Sequence, residues 1–162
     1  MENIPQSVLI HVYAGEDDAE PMFEELPARQ IDEDTYELLA SPGLALNLAR
    51  GDIVSIKNRN AHAEVLSRGG NFCIQIYEDE DIPQACLARL EKEVQAELGG
   101  SLDGINGGNL SLSIPSKNGM DRIREVFDRF RDQTGIQWYY ANVYRNLDDP
   151  DDETLLDWWL KD

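Results

Sequence analysis

Leu110-Ser-Leu-Ser-Ile-Pro115, a helical run from about Met120 to Gln133, and Ile136-Gln-Trp-Tyr-Tyr-Ala-Asn-Val-Tyr-Arg145 form the stretch whose reading decides the fold. The first piece alternates apolar and polar residues, the period of a strand with one buried face. In the second, Met120, Ile123, Phe127 and Phe130 recur at steps of three and four, which gathers them into one apolar stripe. Arg122, Arg124, Arg129 and Arg131 fall mostly off that stripe. Thr134-Gly135 ends the run, because glycine accepts the left-handed backbone that closes a helix. The third piece is rich in aromatic residues, so a strand over 136–145 is expected.

Working outward, Asn71-Phe-Cys-Ile-Gln-Ile-Tyr77 places Phe72, Ile74 and Ile76 on one face of a strand. Glu78 to Asp81 precede a helix that Asp79 or Asp81 is expected to cap, with Pro83 in its first turn. Leu87, Leu90, Val94 and Leu98 form its stripe, and Gly99-Gly100 stops it. From Asn71 the order is strand, helix, strand, helix, strand. That is one hairpin partner short of a ferredoxin-like βαββαβ plan, and the glycine-rich connector Ser101–Gly108 is expected to hold it near Ile105.

The N-terminal half reads as short strands. Ser7–Tyr13, Thr35–Ala40, Ile53–Lys57 and Ala63–Ser67 are β-rich. Glu16–Pro21 reads as a polar loop, and Glu24–Ile31 as an extended segment with Pro27 at an edge or strand start. Ser41–Arg50 is too apolar for a free loop and reads as a packed connection. Arg68-Gly-Gly-Asn71 reads as a tight hairpin turn. The fold expected is α+β. A small antiparallel β lobe (a meander or partial barrel) spans 1–70, a ferredoxin-like α/β half spans 71–147, and an acidic tail with a short amphipathic segment spans 148–162.

The 162 residues carry 14 Lys and Arg against 32 Asp and Glu, a formal charge of −18. Residues 1–34 contribute −9 and residues 148–162 contribute −6, so the ends supply most of the field. Such a surface repels nucleic acid and anionic membrane and speeds encounter with basic proteins. Cys73 and Cys86 have no metal-type spacing and read as small buried hydrophobes. The N-terminus has no basic segment leading into an apolar one, and no apolar run is long enough to span a bilayer. A cytoplasmic protein is expected.

No catalytic motif stands out. His11, inside an apolar strand, and His62, near a turn, read as structural and surface histidines. Ser113 and Ser116 lack a nucleophile-elbow context. The acidic runs Glu78–Asp81 and Asp148–Glu153 lack calcium-loop spacing, so neither metal nor cofactor is expected. The glycines from Gly99 to Gly108 follow a helix and precede a strand, the reverse of a phosphate loop.

Two-residue alternation splits the last strand into Tyr139, Ala141 and Val143 on one face and Trp138, Tyr140, Asn142 and Tyr144 on the other. The first set is expected to face the helices. The second leads into the acids, and Trp and Tyr dominate protein-interface hot spots. Trp138, Tyr140, Tyr144, Asp148, Asp149, Asp151, Asp152, Glu153, Trp158 and Trp159 are therefore the expected partner-binding residues.

Three elements resemble a bacterial family with no established activity, the domain of unknown function 4265. They are Tyr36 to Val54 with its Gly51-Asp52 turn, Glu64 to Ile76 with its glycine turn, and the order of helices and strands that follows. The resemblance spans about residues 7–145. It implies a barrel-like lobe joined to a ferredoxin-like lobe, and accessory proteins, some encoded beside bacterial toxins. The family's Ser or His near the glycine turn is replaced here by Asn71 and Phe72, and the tail with Trp158-Trp159 lies outside the family pattern.

These readings point to a non-enzymatic acidic protein-binding module. The specific expectation is an immunity protein that inhibits a cognate enzyme toxin acting in the cytosol. The alternative is a small-molecule-sensing or regulatory domain that uses the cleft between lobes, and an enzyme with a carboxylate site ranks last.

Overall fold

The computed structural model describes residues 7–160. Residues 1–6, read above for a leader, and Lys161 and Asp162 at the end of the tail lie outside the described residues. The fold is α+β, built on two antiparallel sheets.

In the first sheet β1 (Ser7–Asp17), β2 (Glu20–Asp32), β3 (Thr35–Leu38), β4 (Ile53–Ser55) and β5 (Glu64–Ser67) are neighbours in chain order, a meander. Ile10, Val12, Leu26, Ala28, Leu38 and Val54 form its core. The segment expected as a polar loop is instead the end of a long hairpin. Asp18 and Ala19 make its two-residue turn with φ of 50° and 65°, the twist that suits paired strands. The hairpin projects into solvent, where acids on both faces are free to hydrate. Pro27 lies inside β2, between two strands, rather than at an edge. Its carbonyl accepts from Leu39 N at 3.0 Å, just past the end of β3, where pairing no longer requires an N–H. His11 faces outward beside Glu25 at 3.5 Å rather than into the core.

Arg68-Gly-Gly-Asn71 is not a hairpin. It carries the chain from β5 in one sheet to β6 in the other. Glycine is required at position 69 because a Cβ there would lie 2.3 Å from the Gly51 carbonyl carbon.

The second sheet has the order β7-β8-β6-β9, with β6 Asn71–Tyr77, β7 Ser101–Asn106, β8 Asn109–Pro115 and β9 Tyr139–Tyr140. Helix α1 (Gln84–Glu93) continues into a wider turn at Val94–Leu98, and α2 is Met120–Thr134. With β7 supplying the missing hairpin partner, the unit is a complete βαββαβ. One face of β6 and β8, with Phe72, Ile74, Ile76, Leu110, Leu112 and Ile114, packs on Leu90, Val94, Ile123 and Phe127 of the helices. Neither Asp79 nor Asp81 caps α1; Pro83 stands at the N-cap with no side-chain bond.

The strand expected over 136–145 pairs with β6 only at Tyr139 and Tyr140. Beyond Ala141 N to Cys73 O at 2.8 Å, the Asn142 amide takes over from the backbone. Its Oδ1 accepts from Cys73 N at 2.9 Å and its Nδ2 donates to Asn71 O at 3.0 Å. A side chain that satisfies the neighbouring backbone in this way lets the chain bend out of the sheet.

The facing of the two tyrosines is reversed from expectation. Tyr140 is 7% exposed against Phe72, while Tyr139 is 40% exposed on the opposite face. Ala141 and Val143 are buried.

The face of the second sheet away from the helices carries Cys73, Gln75, Ser111 and Ser113, all buried. What covers it is the connection 39–52. The Gln75 amide donates to Pro42 O at 3.0 Å and Ala45 O at 2.9 Å, and Cys73 Sγ donates to Pro42 O at 3.4 Å. From the first sheet, the Glu24 carboxylate accepts the N–H groups of Gly43, Leu44 and Ala45. The connection therefore wedges the two sheets together, with the peptide N–H groups of residues 43–45 held by a carboxylate, as burial demands.

Candidate functional site: an acidic groove beside a returning tail

The tail folds back on the body. Tyr144 bridges Leu155, Arg145 N donates to Thr154 O at 2.8 Å, and Leu156 N donates to Val143 O at 2.7 Å. Phe72 packs on Trp158 and Trp159 at ring separations of 5.1 and 5.5 Å. The Trp158 indole N–H donates to Asn142 O at 3.0 Å, and the Arg68 guanidinium lies 5.3 Å over its ring. Apolar burial and cation–π attraction thus anchor the return.

The acids sit on the loop between these two limbs. Local bonds hold it: Asn146 Oδ1 accepts from Asp148 N at 3.1 Å, and Asp149 Oδ1 from Asp151 N at 3.0 Å. Asp152 Oδ1 accepts from Thr154 Oγ1 at 2.6 Å and from Thr154 N at 3.0 Å. Those bonds favour the charged form and hold the Asp152 carboxyl below the usual range.

Next to this loop two clefts meet. One, of about 580 Å³, is bordered by Tyr13, Glu16, His62 and Asp148. The other, of about 320 Å³, is bordered by Tyr144, Asp149, Pro150 and Asp152. Leu46, Tyr139 and Leu147 border both, so the two clefts adjoin along a strip of apolar and aromatic residues with acids at the rim, and together they are the groove. Tyr139 donates its hydroxyl to Gln75 Oε1 at 2.6 Å, and burial pushes its phenol up to about 12, so it stays neutral.

Charge is partitioned across the molecule. On the helical face the acids are paired: Glu97 with Arg122 at 3.1 Å and Arg129 at 3.0 Å, and Asp128 with Arg131 at 3.1 Å. Among the described residues, none of Glu16, Asp148, Asp149 and Asp152 has a Lys or Arg partner. Asp148 has His62 Nε2 at 3.9 Å. Such a groove attracts cations and repels phosphates.

Of the residues expected to bind a partner, Tyr144, Asp148, Asp149 and Asp152 border the groove, and Tyr140 contributes to its floor only as a buried residue. Asp151 and Glu153 are exposed on the same loop. Trp138 packs instead on Phe127 at 5.3 Å, with its indole N–H on Asp128 Oδ1 at 3.0 Å. Trp158 and Trp159 are half-buried anchors of the tail.

Sequence reasoning missed Tyr13, Glu16, Leu46, His62 and Tyr139, which come from four separate segments. It also missed a buried cluster. Asp103, whose side chain is 4% exposed, accepts from Ser101 Oγ at 2.6 Å, from Ser41 N at 2.8 Å and from Ser113 Oγ. Ser41 and Ser113 are 2% and 3% exposed, so this serine and carboxylate set is closed to substrate and joins the connection to the second sheet. Among the described residues, no three His, Cys, Asp or Glu side chains converge as a metal site, and no helix is long and apolar enough to cross a membrane.

Comparison with curated proteins finds no match. Among solved structures, a hypothetical protein from Neisseria gonorrhoeae is similar at a TM-score of 0.58 and 19% identity, covering 87% of this chain and 96% of that one. That likeness concerns the fold alone. The family model for the domain of unknown function DUF4265 matches residues 24–138 and so stops just before Tyr139 and the returning tail. By that match over most of its length, the chain belongs to the DUF4265 family.

Proposed function

We propose that this protein is an acidic, non-catalytic binding module. More specifically, it is an immunity protein that binds and inhibits a cognate bacterial enzyme toxin in the cytoplasm. The observation that supports this reading is the groove, where an open apolar and aromatic floor lies beneath rim carboxylates that have no Lys or Arg partner among the described residues. Unpaired charge at a surface steers a complementary partner, and aromatic floor residues supply the anchoring area. Enzymes that act on nucleic acid or nucleotides carry basic clefts, which an acidic plug fits.

The test is co-expression with the product of the neighbouring gene in a host lacking both. The wild-type chain should restore growth, and the folded Asp148→Asn/Asp149→Asn/Asp152→Asn variant should not. A neighbouring gene that encodes no toxin, or growth arrest that the wild-type chain leaves intact, defeats the reading.

A second reading, a small-molecule-sensing domain, draws on the cleft of about 580 Å³, a volume typical of ligand sites. It calls for ligand-dependent thermal stabilisation that the same triple variant leaves unchanged.

A further inference from the structure

We propose that the occupant of the groove is an arginine side chain, presented on a protruding loop of the basic partner and seated against Tyr139 between the carboxylates of the two clefts. This deepens the docking reading above and rests on it. Three observations carry it.

The first is charge placement. Glu16 and Asp148 border one cleft, and Asp149 and Asp152 border the other, with Tyr139 common to both. A cation seated at that ring lies where two clefts meet, each bordered by carboxylates. Among the described residues only His62 approaches them as a cation-capable group.

The second is the ring itself. The Tyr139 hydroxyl is already committed to Gln75, so what remains for a ligand is the partly exposed ring rather than its polar tip. Tyrosine rings attract cations, and a planar guanidinium stacks on them while its N–H fork reaches carboxylates beyond the ring edge. Lysine offers a more strongly hydrated point charge without that geometry.

The third is precedent within the chain. Arg59 lies 5.6 Å over Phe23 and Arg68 lies 5.3 Å over Trp158. Arg68 also bonds a carboxylate, Asp52 Oδ2, at 3.2 Å. Arginine on a ring with a carboxylate at its edge is thus already used in this fold. Among the described residues, no arginine stacks on Tyr139 or Tyr144.

The experiment titrates the full chain with the blocked peptide acetyl-Gly-Arg-Gly-amide and follows backbone amide chemical shifts. The lysine peptide and the neutral citrulline peptide serve as controls. Saturable shifts should be confined to the groove: residues 13–16, Leu46, His62, Tyr139 and the 146–152 loop. The lysine peptide should bind at least about fivefold more weakly, the loss expected when a bidentate stacked contact becomes a point charge. The citrulline peptide should not shift these amides, and Asp148→Asn/Asp149→Asn should abolish the arginine effect.

Equal binding of lysine and arginine, shifts spread over the whole acidic surface, or no shift in the groove would each overturn the inference. The two levels fail separately. Arginine seating without toxin inhibition defeats the immunity reading and leaves the arginine site. Toxin inhibition without arginine seating does the reverse.

Discussion

Asp52 offers the sharpest test of how the junction between the sheets is held. Its side chain is fully buried where the connection, the β5–β6 crossing and the tail meet. It accepts from Ala49 N and Gly69 N at 3.0 Å each and from Arg68 Nη1 at 3.2 Å, and Arg68 in turn stacks on Trp158. Burial is the largest influence on its carboxyl and lifts it from 3.8 to about 6, against the lowering effect of those three donors.

A carboxyl raised in the folded state takes up its proton before the unfolded chain does as pH falls. Its contribution to stability is therefore fully present below about pH 4 and is lost as pH rises through about 6. At about 1.36 kcal/mol per pKa unit, the full span is about 3 kcal/mol, of which about 1.4 kcal/mol falls between about pH 5 and about pH 7.5. Asp52→Asn removes the titration. Urea unfolding followed by tryptophan fluorescence at those two pH values should show the variant gaining about 1.4 kcal/mol on the wild type as pH rises. The other acids titrate alike in both proteins and cancel. Parallel pH dependence in the two proteins, or a variant that loses ground as pH rises, refutes burial as the dominant influence on this group.

Gly69→Ala should destabilise by about 1–3 kcal/mol in the same unfolding assay, because the new methyl meets Gly51 backbone that has no rotamer to yield. Trp158→Ala should remove the ring packed on Phe72, the indole bond to Asn142 and the platform under Arg68, at a cost of about 2–3 kcal/mol given its half-exposed position. Amide exchange at Leu156 should then quicken more than exchange in β6, since its bond to Val143 closes the tail hairpin. By contrast, neutralising Asp148 and Asp149 should change stability by less than about 0.5 kcal/mol, because neither has a Lys or Arg partner among the described residues to lose.

Much of the fold was legible because periodicity speaks directly where burial is one-sided. The stripes of α1 and α2 reflect a single buried face; β6 and β8 are buried on both faces, and their alternation was legible because the side toward the helices is apolar and the side under the connection is polar or small. The hairpin partner β7 was placed near Ile105 only by counting elements, because Gly104 within it, the glycine pairs on either side and a bulge between Leu102 and Gly104 blur its alternation. The last strand was misread for two reasons. Parity separates Tyr139 from Tyr140 but does not say which one faces the helices. Asn142 then ends the ladder by imitating backbone, which nothing in its neighbours signals.

The acidic half of the site was readable from composition. The other half was not, since Tyr13, Leu46 and His62 reach the groove through tertiary packing, and sequence spacing carries no trace of that. The buried Asp103 and Ser41 pairing spans 62 residues and was equally invisible.

The most direct test of the central claim is the affinity of the purified chain for the protein encoded by the gene beside its own, measured by calorimetry for wild type and for Asp148→Asn/Asp149→Asn/Asp152→Asn. The groove account predicts tight one-to-one binding by the wild type, at least about tenfold weaker binding by the variant, and a slower on-rate as salt rises. Equal affinity for the two proteins, or no binding by the wild type, contradicts it.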